Sequence, residues 1–136
     1  MLDANTELSV SAQALASFRH NEQAIIARVA ARSLERKNEV VQHGRKAEHL
    51  ITSGIQFTTR MLDTAMALDE VALLEDQLAW ALQRLPHDGV RPEHMLNRLR
   101  IYAEVVEELL PSDHARQIAP FVDWMIARLN ELLRRK

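Results

Sequence analysis

The chain carries six histidines, and their spacing decides whether they could bind a metal ion. Two ligands on one face of a helix lie three or four residues apart, and no two of these histidines have that separation. Glu39 and His43 form the one pair of a carboxylate and a histidine separated by three or four residues. This pair fits a solvent-exposed helix end, where a histidine complements the helix dipole. The Glu-x-x-His signature of di-iron proteins is absent. The sequence therefore predicts no metal site and disfavours a ferritin-like oxidase.

A second group of polar residues, His87, Asp88 and His94, could supply acid-base chemistry beside one loop. Turn formation explains them more simply, because Asp88 precedes a glycine and His94 falls in the first turn of the next helix. Asp113 and His114 similarly suit the start of a helix. No phosphate-binding loop, dinucleotide fingerprint, nucleophile elbow or zincin motif occurs. The sequence predicts no catalytic residue, and an enzyme with a new helical site is the last of three hypotheses.

Gly54 and Thr58 interrupt an apolar helical stripe at positions where larger residues usually fill a core. One interpretation is a small cavity, closed by aromatic residues of other helices, that holds an apolar small molecule. Its predicted lining residues are Ile51, Gly54, Ile55, Thr58 and Met61. The alternative, which is the commoner arrangement, is that a neighbouring helix packs closely over Gly54 while the Thr58 hydroxyl bonds to its own backbone.

Two tryptophans are each followed four residues later by an arginine: Trp80 by Arg84 and Trp124 by Arg128. At this spacing a guanidinium can lie over an indole on one helix face. Two indoles on a common surface would anchor a protein partner, because tryptophan and arginine are enriched in interface hot spots. The alternative is an ordinary half-exposed face on each helix.

The helices carry more apolar surface than one small core can absorb, and this excess predicts a homodimer. Residues 19–46 contain seven basic and three acidic side chains, whereas residues 63–76 contain five acidic and no basic ones. These opposite charges could be matched across a two-fold interface. The N-terminal segment 1–20 would contribute three apolar residues to this interface: Leu8, Leu15 and Phe18. The alternative is that the first helix folds back on its own bundle and that both charged stretches are solvated.

The elements that carry these residues are predicted to be helices. Aromatic residues make up only 4% of the 136 residues, there are three Gly and four Pro, and apolar residues recur at helical spacing. We predict an all-α fold, one domain over residues 1–136, built as a bundle of about five to six mostly antiparallel helices. The predicted helices are one before Asn21, one from Asn21 towards His43, and others over about 45–68, 69–85, 92–110 and from 112 onwards.

The short turn at residues 86–89 is expected to join two of these helices as an antiparallel hairpin. The helices over 69–85 and 92–110 would then pack against each other. Their apolar stripes place Leu78 and Leu99 in the core between them.

Composition excludes several classes of function. The formal net charge of −2 is too low to neutralise many phosphates, so nucleic acid is not an expected partner. The chain contains no cysteine, which fits a cytoplasmic protein without disulfides. Its first residues lack the basic and then apolar pattern of a signal peptide, and no apolar run is long enough to span a membrane.

Two stretches, LEDQLAW at residues 74–80 and FVDWM at residues 121–125, resemble helical sensor or regulatory domains of bacterial signalling proteins. Globin-like stressosome sensors and the helical segments of cobalamin-dependent regulators share this layout. Because the helices are well specified while catalytic motifs are missing, the first hypothesis is a non-enzymatic regulatory domain without a cofactor, which acts through homodimerisation and a signalling partner. The second hypothesis is a sensor for a small molecule or a haem-like tetrapyrrole. A haem-binding globin would need a histidine within an apolar helix face, and no histidine here clearly has that position.

Overall fold

A computed structural model of the chain describes residues 8–35, 46–84 and 91–134. The regular structure in these ranges is α-helical throughout and forms one domain, which confirms the predicted fold class. The helices are α1 (Ala12–His20), α2 (Glu22–Leu34), α3 (Ala47–Ala67), α4 (Ala72–Arg84), α5 (Pro92–Leu109) and α6 (Ser112–Arg134). None of these helices is both long and apolar enough to cross a lipid bilayer. Glu39, His43 and the predicted turn at 86–89, with His87 and Asp88, lie outside the described residues.

The first two helices meet at Asn21, as the sequence predicts. The hydroxyl of Ser11 caps α1 by accepting a hydrogen bond of 3.1 Å from the backbone N–H of Ala14. The side chain of Asn21 donates to the carbonyl oxygen of Ser17 at 2.8 Å and so satisfies a carbonyl at the C-terminal end of α1. α2 then begins at Glu22, whose negative charge suits the N-terminus of a helix.

The junction between α3 and α4 differs from the sequence prediction. Asp69 has φ of 50°, in the left-handed region, so it closes α3 rather than opening the next helix. The backbone N–H of Glu70 donates to the carbonyl of Ala65 at 2.9 Å, and that of Asp69 donates to the carbonyl of Met66 at 3.4 Å. These two bonds form a Schellman motif, in which aspartate occupies the position that glycine usually takes. The fourth helix therefore begins at Ala72 and not at Asp69.

The packing of the helices places one continuous core at the centre of the bundle. α5 packs against α6 and α2, α2 also packs against α3, α1 lies against α6, and α4 lies against α3 and α6. The largest fully buried side chains include Tyr102, Phe18, Phe121, Ile25, Ile51, Ile55, Leu62, Leu74, Leu78, Ile118 and Met125. Every helix contributes to this set, so no helix is a separate unit.

The predicted hairpin is wrong in its packing, although its core residues are right. Leu78 and Leu99 are both buried, as predicted. However, α4 packs against α3 and α6, whereas α5 packs against α6 and α2. Among the described residues, α4 and α5 are not one of the closely packed pairs of helices. The two apolar stripes therefore face a shared space rather than each other.

The N-terminal helix folds back onto its own bundle. The backbone N–H of Ser11 donates to the side-chain oxygen Oε1 of Gln117 on α6 at 2.7 Å. Phe18 is fully buried, and Leu8 and Leu15 are partly buried against the same core. Phe18 is thus unavailable to a second copy of the chain, and the expectation that it lies at a dimer interface is wrong.

Candidate functional site

A cavity of about 50 Å³ lies between α3, α4, α5 and α6. Helix α3 lines it with Gly54, Ile55, Phe57, Thr58 and Met61, and α4 adds Leu78 and Ala81. The remaining described lining residues are Met95, Arg98, Leu99 and Tyr102 of α5, together with Met125 of α6. The cavity occupies the space between α4 and α5, which do not pack closely on each other.

Gly54 lies on the α3 wall of this cavity, beneath the guanidinium of Arg98. A Cβ atom at Gly54 would lie 3.4 Å from the Nη1 atom of Arg98, which is an ordinary van der Waals contact. The group above Gly54 is therefore a side chain and not the backbone of a closely packed helix. The Thr58 hydroxyl donates to the carbonyl oxygen of Gly54 at 3.1 Å, as the alternative interpretation of this stripe predicted.

Three methionines from three helices make the wall of the cavity adaptable. Met61 and Met95 are partly buried and Met125 is almost fully buried. A methionine side chain has three rotatable bonds and a polarizable sulfur, so it fits irregular or changing spaces better than a branched residue does. The cavity can therefore change its shape at a lower cost than a wall of valine and isoleucine would allow.

Tyr102 and Thr59 supply a buried polar contact at the α3–α5 side of the cavity. The Thr59 hydroxyl donates to the carbonyl oxygen of Ile55 at 2.9 Å, so its proton is already used. The Tyr102 hydroxyl must therefore be the donor in the 2.8 Å hydrogen bond to the Thr59 oxygen. Burial raises the pKa of Tyr102 well above its ordinary value, and Tyr102 stays neutral at physiological pH.

Arg98 is the one charged side chain among the described residues that line the cavity. It is partly buried, and it takes part in an interaction within the chain. A guanidinium at the wall of an otherwise apolar space is unusual, because burying a charge is costly unless a partner compensates it.

The cavity borders a shallow groove between α3 and α4, which Phe57 and Met61 also line. At this side the rings of Phe57 and Trp80 have centroids 5.7 Å apart and are tilted by 51°. Trp80 is 52% exposed, although most tryptophans bury a larger part of their surface. The groove encloses about 380 Å³ and also contacts Arg60, Thr64, Leu73 and Gln77.

The structure gathers four of the five residues predicted to line a pocket. Gly54, Ile55, Thr58 and Met61 surround the cavity, whereas Ile51 is fully buried but does not line it. The sequence interpretation missed Arg98 and Met125, because these residues come from helices that are distant along the chain. Tyr102 belongs to the inward-facing apolar stripe of α5, and this stripe was the sequence signal that could have placed it in the core.

The two predicted tryptophan and arginine pairs behave differently from each other. Trp80 and Arg84 are exposed, as an interface would require. Trp124 is only 3% exposed, so the expectation that both indoles share one surface is wrong. Arg128 donates to Glu75 of α4 with two hydrogen bonds, Nε to Oε2 at 2.6 Å and Nη2 to Oε1 at 2.5 Å, and also to Glu131 at 2.9 Å. Arg128 thus joins α6 to α4 within one chain.

Opposite charges are also matched within the chain. Arg19 donates two hydrogen bonds of 2.8 and 2.9 Å to Asp63, and these bonds lower the pKa of Asp63. Arg32 donates to Glu108 at 2.5 and 2.8 Å and lowers the pKa of that carboxyl group. The pair of Arg19 with Asp63 joins the basic stretch 19–46 to the acidic stretch 63–76. Part of the charge that the sequence assigned to a dimer interface is therefore satisfied internally.

The described histidines are spread over the bundle and form no cluster that could hold a metal ion. Groups of three or more histidine or acidic side chains that could hold a metal ion are absent from the described residues. His20 and His49 are exposed, His114 is partly buried, and His94 is buried in the first turn of α5. None of these four histidines lines the cavity.

No protein-family model and no curated protein matches this chain. The function is therefore argued from the cavity and its surroundings.

Proposed function

We propose that the chain is a non-enzymatic regulatory domain that binds a small apolar molecule in the cavity between α3, α4, α5 and α6. The cavity itself supports this proposal most directly, because protein cores usually contain few spaces larger than a water molecule. Cavities with a mostly apolar lining take up small apolar guests. The proposal keeps the resemblance to bacterial sensor domains as its context.

The size of the cavity restricts the ligand. A water molecule needs roughly 10 to 15 Å³ of such volume, so about 50 Å³ admits a group of only a few heavy atoms. Drug-sized ligands occupy pockets of about 300 to 1,000 Å³. A tetrapyrrole is at least as large as a drug-sized ligand, so it does not fit between these helices as they are packed. The lining also disfavours a haem, since none of the described lining residues is a histidine that could bind the haem iron.

The position of the cavity suggests how binding would be transmitted. Leu78 and Ala81 of α4 face α5 across the cavity, and Trp80 lies between them in sequence on the exposed side of α4. A guest that fills the space would set the distance between α4 and α5. The Phe57 and Trp80 rings, which touch at the adjoining groove, would move with α4 and carry the change to the surface.

Methionine methyl resonances provide a direct test of ligand binding. The chain contains five methionines, of which Met61, Met95 and Met125 line the cavity, while Met66 is buried elsewhere. With ¹³C-methyl-methionine protein, we expect xenon or isobutane to shift the signals of the three lining methionines and to leave Met66 unchanged. Equal shifts at all methionines, or none, would contradict the proposal.

Two leucine substitutions, one inside the cavity and one outside it, provide a matched control for this test. Gly54→Leu places a leucine side chain in the cavity, whereas Ser53→Leu places the same side chain at an exposed neighbouring position on α3. Gly54→Leu should abolish the xenon shifts and lower stability by about 1 to 3 kcal/mol, since Arg98 must move. Ser53→Leu should retain both the shifts and the stability. Xenon shifts that persist in Gly54→Leu would place the guest elsewhere.

A second candidate function, interaction with a protein partner or a second copy of the chain, is favoured by the exposure of Trp80. An exposed indole beside an apolar groove is a good hot-spot anchor. Sedimentation equilibrium at about 50 µM would reveal a homodimer of moderate affinity. We expect Trp80→Ala to weaken self-association by tenfold or more and Gln83→Ala, an exposed neighbour on α4, to have no effect. A monomer at this concentration would exclude such a homodimer.

A further inference from the structure

From the groove between α3 and α4, we infer that a second copy of the chain covers this face, in a two-fold dimer whose two α4 helices cross antiparallel. This inference rests on the second candidate function, and it adds the face that forms the dimer and the residues that meet there. It does not depend on a guest in the cavity.

The register of α3 and α4 follows from the ring contact between them. A short turn joins the two helices, so they run antiparallel. The rings of Phe57 and Trp80 lie with their centroids 5.7 Å apart. Counting three and seven residues along both helices from this contact brings two further pairs level: Arg60 with Gln77, and Thr64 with Leu73. These four residues all line the groove, which therefore extends from the two rings towards Leu73.

This face carries both halves of a self-complementary contact, which a two-fold interface requires. At one end of the groove Trp80 is 52% exposed, and at the other end Leu73 is only half-buried. Arg60 supplies a cation, and Asp76, the neighbour of Gln77, supplies an anion. Both charged side chains are exposed, and neither forms an ion pair with a described residue. An exposed indole, a hollow for it and two opposite charges are thus present on one surface.

One arrangement satisfies both kinds of contact at once. When the two-fold axis passes between Asp76 and Gln77, each Asp76 faces Gln77 of the second copy, and each Trp80 faces Leu73 of the second copy. Because Arg60 is level with Gln77, its guanidinium then lies beside Asp76 of the second copy. The indole of Trp80 covers the far end of the groove of the second copy. By symmetry, each contact occurs twice.

Charge reversal tests the pairing of Arg60 with Asp76 in sedimentation equilibrium. Arg60→Glu and Asp76→Arg should each weaken self-association by tenfold or more, because each brings like charges together twice. An equimolar mixture of the two variants should regain the wild-type affinity, because both pairs of the heterodimer are then of opposite charge. Arg100→Glu, at an exposed position of α5 outside the groove, should have no effect. A mixture that associates no more tightly than the single variants would overturn the pairing.

Cross-linking tests the antiparallel crossing of the α4 helices. The chain contains no cysteine, so one introduced thiol reports on its own position alone. Gln77→Cys lies beside the axis and should cross-link to its copy through a short bismaleimide. Gln83→Cys is also exposed on α4, but it should not cross-link, since its copy lies roughly 20 Å away along the helix axis. Cross-linking that is equal at the two positions, or absent at both, would overturn this arrangement.

The outcomes separate this inference from the candidate function on which it rests. A wild-type protein that is monomeric at about 50 µM would overturn both the homodimer and this interface. A dimer that Arg60→Glu and Asp76→Arg leave intact would retain the homodimer and overturn this interface. A dimer that is lost in each variant and regained in their mixture supports both, and the regained affinity also shows that each variant is folded.

Discussion

Helix α2 and helix α4 lie on different sides of the bundle and are packed in different ways. On the α2 side, defined here as α2 alone, Ile25 and Val29 are fully buried. On the α4 side, defined as the cavity and the helices that line it, Met61 and Met95 are partly buried and Trp80 is exposed. Branched side chains have few rotamers, whereas methionine has many. The α2 side is therefore built for a fixed structure, and the α4 side is built to adapt.

This difference supports placing the proposed ligand site on the α4 side. Filling or deforming a rigid core costs stability, because closely packed side chains cannot move without strain. A region with fewer close contacts opens and closes at a lower free energy. One half of the bundle can thus maintain the fold while the other responds to a guest.

The largest expected effect separates the two sides by core truncation. Ile25→Ala on the α2 side should lower the free energy of unfolding by about 2 to 5 kcal/mol, because a fully buried side chain leaves a cavity. Met95→Ala should cost less than about 2 kcal/mol, because Met95 is partly exposed and its neighbours can adjust. Urea denaturation of both variants measures the difference. Equal losses would mean that the two sides do not differ in rigidity.

The sequence predicts the helices well because each helix has a local signal. The Ser11 cap, the restart at Asn21 and the apolar spacing of α5 all depend on residues close together in the chain. The start of α4 was misplaced because Asp69 adopts a left-handed conformation that glycine usually occupies. Aspartate occasionally adopts this conformation and is also common at helix starts, so its residue type alone does not distinguish the two positions.

The site was only partly predictable, because most of its lining comes from different helices. Gly54, Thr58 and Met61 share one face of α3, and their spacing alone suggested a pocket. Arg98 and Met125 lie on α5 and α6, so their place at the cavity depends on how these helices pack, which local spacing does not reveal.

The contrast between the two tryptophans had a signal in the sequence that the prediction did not use. Trp124 follows Phe121 by three residues on the apolar face of α6, so it points into the core. Trp80 follows Gln77 by three residues and precedes Arg84 by four, so it lies on a polar face of α4. The shared spacing of tryptophan and arginine concealed this difference in their neighbours.

The second prediction concerns how the α4 side is held in place despite its cavity. Arg128 on α6 and Glu75 on α4 form a bidentate ion pair whose side chains are only 13% and 26% exposed. Arg128→Gln should lower the free energy of unfolding by about 1.5 to 3 kcal/mol, since partly buried hydrogen bonds to charged groups are lost.

Arg116 supplies the control for this ion pair. It pairs with Asp113 on the surface of the same helix, where both side chains are more than half exposed. Arg116→Gln should leave stability unchanged within error, because exposed ion pairs contribute little. If both arginine variants had the same stability in urea, α4 would not depend on the Arg128 contact.

The third prediction increases stability and tests the space at Gly54. Gly54→Ala should raise the free energy of unfolding by about 1 kcal/mol, because alanine favours a helix interior over glycine and its Cβ fits 3.4 Å from Arg98. The same methyl group should weaken xenon binding by narrowing the cavity at its α3 wall. Thermal denaturation measures the first effect, and the methionine methyl shifts measure the second. A destabilised Gly54→Ala protein would show that the wall at Gly54 has no free space.

The smallest expected effect is the pH dependence of the ion pairs that border α2. Hydrogen bonds from Arg19 lower the pKa of Asp63, and those from Arg32 lower the pKa of Glu108. A carboxyl group with a lower pKa in the folded state stabilises the fold above its unfolded pKa, and this stability is lost as pH falls through the folded pKa. Since ordinary carboxyl pKa values are about 4, the free energy of unfolding should begin to decrease below about pH 4.

Glu22 provides a control of opposite sign for this pH dependence. Burial, followed by the neighbouring Asp63 carboxylate, raises the pKa of Glu22. A raised pKa contributes stability that is present below the unfolded pKa and is lost as pH rises through the folded pKa, so Glu22 partly offsets the acid effect of Asp63. Urea denaturation at pH 7 and pH 3 should therefore show a smaller acid loss in Asp63→Asn and a larger one in Glu22→Gln than in the wild-type protein. If Asp63→Asn retained the full acid loss, the Arg19 contact would contribute nothing to it, and the acid sensitivity would have to come from other carboxyl groups such as Glu108.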